Sequence, residues 1–275
     1  MDSETTPAEP ARSVAVSVAE RVAPQSPRFA GLARLVGTCV AFVMALRHAT
    51  WRKDLSDARK LDDRLAAGER VIAVFWHGKY PPLFPLLGGR RACAFASLSF
   101  RGQVIAEVCR RFGYACELLP HKGGKRSRDL MRDALAGYNA GAVAVDGPLG
   151  PYHVPKSGAI EMASDLGYAL LPVSVAASRR RINSQRWDLM EMPRLFSRVA
   201  LAVGEPIRVP AGLGAQDYPA WQDRVREGLD AADARAIWTA VHQPGMRTVA
   251  AKTVEQQSML SLHRIRSLAH PLCGN

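Results

Sequence analysis

The feature that most constrains the fold is a short apolar run, Ala142 to Val145, that stops on Asp146 and meets Gly147-Pro148-Leu149-Gly150-Pro151. Its length and β-branched content are those of a buried strand. Two prolines without N–H donors and two glycines that accept positive φ then end regular structure. Ser157-Gly158 opens an apolar-periodic helix through Ile160, Met162 and Ala163. A carboxylate at the C-terminal tip of a strand, followed by a rigid loop, is where parallel α/β sheets gather ligands. Turn chemistry alone also selects Asp, Gly and Pro, so a capping role for Asp146 stands beside the functional one.

A second buried-strand run lies upstream, Val71 to Trp76, and delivers His77 at its end beside Gly78 and Lys79. Two strand tips, one carrying His and one carrying Asp, form a general-base constellation when the strands are neighbours. Further strands are expected at Ala92 to Ser97, Tyr114 to Leu119, Leu170 to Ala176 and Val199 to Val203. Helical spacing intervenes at Asp54 to Gly68, Gly102 to Phe112, from Leu130 to Leu135, and from Ala211 onward. Lys79 to Gly89, with Pro81, Pro82 and Pro85, is expected to be irregular or kinked. The alternation predicts an α/β fold with a mainly parallel sheet of about seven strands and helices on both faces.

Around this domain, set at residues 54–244, the chain changes character. Residues 1–27 read as a flexible, proline-dotted lead, and their acidic residues rule out a secretory signal. Phe29 to Leu46, inside a hydrophobic helix at 28–48, is apolar except for Arg34 and Thr38. Its length sits at the short limit for a membrane span, so it can cross a bilayer, lie in its interface or dock on the domain. Arg47, His48, Arg52 and Lys53 after it favour an anionic headgroup layer. Residues 245–275 read as a basic tail.

The pair Trp76-His77-Gly78-Lys79 and Val145-Asp146-Gly147-Pro148-Leu149-Gly150-Pro151, in this order, resembles the lysophospholipid acyltransferase superfamily. The nearest branch is a bacterial one marked by Trp-His-Gly and Asp-Gly-Pro-x-Gly-Pro, related to glycerolipid and lipid A acyltransferases. The resemblance covers roughly residues 55–210 and implies a glycerolipid acyltransferase-like fold. It also implies acyl transfer from acyl-CoA or acyl carrier protein to a lysophospholipid-like or lipid A-like acceptor. No cofactor and no metal is implied. His77 matches the general base, and Asp146 the acidic position of the second box. The superfamily usually places an acid five residues after the histidine, where this chain has Pro82. In the nearest branch a Ser-x-Ser-x-Asp-Gly segment carries an acid, and here Arg101 replaces it in Ser97-Leu-Ser99-Phe-Arg101-Gly102. That leaves Asp146 or Glu107 as the candidate partner of the imidazole. Leu149 replaces an arginine common in that branch. Substrate contacts are expected from Lys79, Ser97, Ser99, Gly147 and Pro148.

Lys122, Gly123, Gly124, Lys125 and Arg126 form a glycine loop at a helix start, a natural anion cradle or a solvated basic cap. It is not a P-loop, because Leu119 stands where the first glycine belongs and Arg126 where Ser or Thr is required. Arg179-Arg180-Arg181 invites the same two readings. A net charge of +12 suits a polyanionic partner. Nucleic acid is not expected, since aromatic residues are few and not interleaved with the basic runs. No G-x-S-x-G or G-x-G-x-x-G is present, which disfavours a serine hydrolase and a dinucleotide enzyme. The five cysteines show no C-x-x-C spacing and read as reduced thiols. The sequence therefore predicts a membrane-associated acyltransferase on the cytoplasmic face, with membrane lipid and an acyl thioester donor as partners. A catalytically weak lipid-binding relative is the alternative, and a basic nucleic-acid binder a more distant one.

Overall fold

The computed structural model describes residues 27–120 and 124–242. The expected lead (but for Pro27), the C-terminal tail, and Lys122 and Gly123 fall outside the described residues. The fold is α/β, around a mixed and mostly parallel sheet. In spatial order its strands are β1 (Arg52–Asp54), β9 (Arg198–Val203), β6 (Ala169–Ala177), β2 (Val71–Phe75), β5 (Ala140–Ala144), β3 (Ala92–Ser97) and β4 (Ala115–Leu119). β9 runs antiparallel to β6, as does the short β10 (Ile207–Arg208) on its other pairing. β7 (Arg180–Ile182) and β8 (Glu191–Pro193) form a separate two-stranded hairpin.

β2 lies in the middle of the sheet, parallel to both β5 and β6. Its residues alternate between two apolar layers, as a period of two requires. Val71 and Ala73 face a core built with Leu61 of α2 (Ala58–Ala66), Leu83 and Leu86 of α3 (Tyr80–Leu86), and Leu171 and Val173 of β6. Ile72 and Val74 face the opposite core, with Leu135 of α5 (Gly124–Leu135), Ile160 of α6 (Gly158–Leu166) and Leu229 of α7 (Tyr218–His242). Both faces of β2 are therefore covered, which explains why its sequence is continuously apolar rather than alternating.

One expectation is corrected, and one segment without an expectation takes shape. Lys79 to Gly89 holds a short helix, α3: Pro81 and Pro82 lie in its first turn, where no intrahelical N–H is needed, and Pro85 lies inside it. The segment between β6 and β9, which carries no clear periodicity, folds as the β7–β8 hairpin. The N-terminal apolar helix α1 (Pro27–Thr50) packs against α4 (Phe100–Arg111) and α3 along one side.

Candidate active site

His77 ends the strand run of β2, and Asp146 follows β5. The two strands are direct neighbours, with Phe75 opposite Ala144, so the tips of both motifs meet. The Asp146 Oδ1 accepts a 2.8 Å hydrogen bond from the backbone N–H of His77. Asp146 is fully buried, and burial pushes its carboxyl up to about 6, against the opposing pull of that N–H. It therefore clamps the main chain of His77 and does not touch the ring. Trp76 is buried beside it and stacks on His153 at 4.3 Å between ring centroids. His153 in turn stacks on Tyr152 at 3.8 Å, so the aromatic residue of the first motif is pinned by the loop of the second.

The acid that meets the imidazole is Asp188, from the connection between β7 and β8. His77 Nδ1 lies 2.8 Å from Asp188 Oδ2. Arg186 holds the same carboxylate through two charge-assisted bonds, Nε to Oδ1 at 2.8 Å and an Nη to Oδ2 at 2.7 Å. Burial of Asp188 raises its pKa, but the bonds from Arg186 and His77 outweigh it and hold the carboxyl below its ordinary value. An ionised acceptor at Nδ1 fixes the neutral imidazole as the Nδ1–H tautomer, with the lone pair on Nε2. Burial also lowers the pKa of His77; Asp188 opposes this, while Arg186 and Arg101 add to it. The ring is thus neutral at neutral pH, the state a base requires.

Gly78 explains how Asp188 reaches the site. A Cβ there would stand 2.1 Å from the Asp188 carbonyl oxygen, so only glycine lets that backbone cross. Gly150, at φ 72°, similarly leaves room for Trp187, whose ring lies 5.4 Å from that of His77. Sequence reasoning missed Asp188, Arg186 and Trp187. The glycine after His77 was the one available sign that another backbone passes there.

His77 lines a cavity of about 950 Å³ with predominantly apolar walls. Leu65, Phe75, Leu87, Phe95 and Met131 are among its apolar residues, and Arg101, Lys156 and Arg186 are its cations near the two motifs. Ser97 and Ser99 also line it, yet they bond to each other at 2.9 Å, and Ser99 caps α4 by accepting from the Gly102 N–H. Gly147, Pro148 and Leu149 reach the same cavity. Gly124 lines it at the start of α5, while Lys125 and Arg126 are exposed and are not part of its wall. Glu107 is not brought to His77: it bonds to Thr38, Arg110 and Arg111 on the side facing α1.

Lys79 also leaves the expected role. It is buried, with Nζ at 3.1 Å from Glu191 and 2.9 Å from Asp233. Burial disfavours its charge, but the two carboxylates overcome that and raise its pKa. Ser174 donates to Asp233 at 2.7 Å, and Arg180 pairs with Glu191 at 3.0 Å. This network ties the turn after β2 to the hairpin, to β6 and to α7.

No protein-family model matches the chain. A protein of Rickettsia prowazekii (strain Madrid E), described as uncharacterized protein RP090, is 29% identical over 147 residues. The match takes in 51% of this chain and 65% of that protein, so this chain spans less than two thirds of its relative's length.

Proposed function

We propose that the protein is an acyltransferase that moves a fatty acyl group from a thioester donor, acyl-CoA or acyl carrier protein, to a lysophospholipid-like or lipid A-like acceptor at a membrane. The observation that carries this reading is the His77–Asp188 bond at 2.8 Å on the wall of the large apolar cavity. A carboxylate-oriented imidazole is a general base, and a mostly apolar cavity of this size suits a hydrocarbon chain.

In this reading Nε2 takes the acceptor's hydroxyl proton as the oxygen attacks the thioester carbonyl. The C–O bond forms, the C–S bond breaks, and the leaving thiolate takes the proton back from the imidazolium. The products are an ester and a free thiol. Asp188 stabilises the imidazolium while it exists, and Arg186 keeps Asp188 ionised. Asp146 fixes the strand end from which His77 projects. Arg101, Arg186 and Lys156 supply positive charge for an anionic headgroup or donor phosphate. The apolar helix α1 supports placing the protein at a membrane, and the cytoplasmic face is where thioester donors are found.

The test uses purified full-length protein with a panel of acyl-CoA and acyl carrier protein donors and lysolipid acceptors. His77→Ala is expected to remove transfer by roughly 10²–10⁴-fold while leaving lipid binding in place. A wild-type protein that binds lipid but transfers no acyl group, with His77→Ala equally competent in the cell, would leave only a lipid-binding role.

A further inference from the structure

A second, smaller cavity of about 410 Å³ lies beneath α1. Its walls are Val40, Val43 and Met44 of α1, Phe84 of α3, Val108 of α4, and Met190 and Met192 of the hairpin region. Arg47 is its one charged wall residue, and its guanidinium bonds the Pro193 carbonyl at 2.6 Å. Three residues, Tyr80, Phe84 and Ile105, line both this chamber and the cavity that holds His77. These residues form a wall shared by the two spaces. The Tyr80 ring lies 5.2 Å from that of His77, so the partition ends at the imidazole itself.

The setting of α1 says what the chamber opens onto. Leu32, Leu35, Cys39, Phe42 with its neighbour Val43, and Leu46 are exposed and follow one another at three- and four-residue steps, a continuous apolar stripe. Cys39, Val40 and Val43 are exposed on the same helix and form the outer rim of the chamber. The opposite side of α1 touches charge halfway along its length. Gly37 lies so close to Glu107 that a Cβ would come within 2.6 Å of it. Thr38 donates to Glu107 at 3.1 Å, and Glu107 pairs with Arg110 at 2.7 Å and Arg111 at 2.8 Å. Were α1 to cross a bilayer, this carboxylate and two guanidiniums would sit near its centre, at heavy cost. Lying along one leaflet, α1 keeps them on the protein side and turns the stripe into the acyl chains. Exposed Arg34, Arg52 and Lys53 then match anionic headgroups around it.

We propose that the chamber under α1 is a lateral passage: it takes the hydrocarbon chain of a leaflet lipid from the side of α1 and leads it past Tyr80, Phe84 and Ile105 to His77. The proposal rests on the membrane reading above. Its walls suit that occupant, since thioethers and aliphatic groups adapt to a flexible chain without demanding hydrogen bonds. Cys39 and Val43 form the outer rim, and Tyr80 the inner gate.

The experiment is photolabelling of the full-length protein on phosphatidylglycerol vesicles doped with a phospholipid bearing a diazirine at its acyl terminus. Adducts mapped by mass spectrometry are expected both on the stripe and on the inner wall, at Phe84, Met190 and Met192. Cys39→Trp and Val43→Trp, at exposed positions where folding is not at issue, are expected to remove the inner adducts and spare those at Leu35 and Phe42. Adducts confined to the stripe, or inner adducts unchanged in both variants, would overturn the passage while leaving membrane contact standing. Absence of adducts everywhere would overturn the passage together with the membrane reading.

Discussion

At the scale of single residues, the site depends on which groups carry charge. Asp188→Asn keeps the volume but replaces the carboxylate that selects the His77 tautomer, so transfer is expected to fall roughly 10²-fold or more. Asp188 raises the His77 pKa, so its loss should move the acid limb of kcat/KM to lower pH as the plateau falls. Arg101→Ala removes a charge that lowers the same pKa, so it should move the limb upward. The double change with His77→Ala should cost no more than His77→Ala alone, because the acid acts only through the ring. Steady-state pH profiles of the variants check all three. Asp146 gives a second prediction, on stability. Its folded pKa of about 6 stands above the ordinary 3.8, so the folded state binds this proton more tightly than the unfolded one. The resulting stabilisation is present in full below the ordinary value and is lost as pH rises through about 6. A shift of this size corresponds to ~3 kcal/mol. Urea unfolding of Asp146→Asn should therefore show a stability difference from wild type that shifts in favour of the variant between pH 4 and pH 8. A flat difference would place the proton elsewhere.

At the scale of elements, the two motifs are explained by what packs on them. Lys79 looks like a substrate contact in sequence because it follows His77 and Gly78, yet the fold spends it on Glu191 and Asp233. Lys79→Met should leave Asp233 without its cation and Glu191 with Arg180 alone, both partly buried, and destabilise the fold by up to ~3 kcal/mol. Lys125→Ala with Arg126→Ala, both exposed, should leave the melting temperature near that of wild type. Thermal denaturation of the variants compares them directly. The strands carrying His77 and leading to Asp146 were legible because each is a short apolar run closed by glycine or proline, and their pairing follows from parallel α/β packing. Asp188 was not legible. It sits in an irregular hairpin connection, beside Leu189 at φ 46°, where no periodicity marks a side chain as buried. Its partner is 111 positions away, and only the tertiary fold shows the contact. The helix α3 was misread for a related reason: three prolines argue against a helix until their positions within its turns are known.

At the scale of the whole molecule, α1 and α4 are joined by a polar contact that sets how the protein would meet a bilayer. Glu107 is held to about 2 by Arg110 first and by Arg111 and Thr38 after it, so it is a carboxylate at every pH where the protein would work. The face of α1 turned to that carboxylate stays with the domain, and the opposite face is left without a protein partner among the described residues. Leu35 and Phe42 are 63% and 64% exposed, so changing them removes little packing from the fold. The triple variant Leu35→Ser, Phe42→Ser and Leu46→Ser should keep the wild-type melting temperature to within the change expected of surface substitutions, ~0.5 kcal/mol each. It should nevertheless fail to float with phosphatidylglycerol vesicles that carry the wild type upward in a density gradient. Raising salt should weaken wild-type flotation in part, through screening of Arg34, Arg52 and Lys53, and leave the apolar contribution. A helix that merely completed the soluble domain would give the reverse pattern. The triple variant would then behave as wild type on the gradient, because the stripe would touch nothing but water in both.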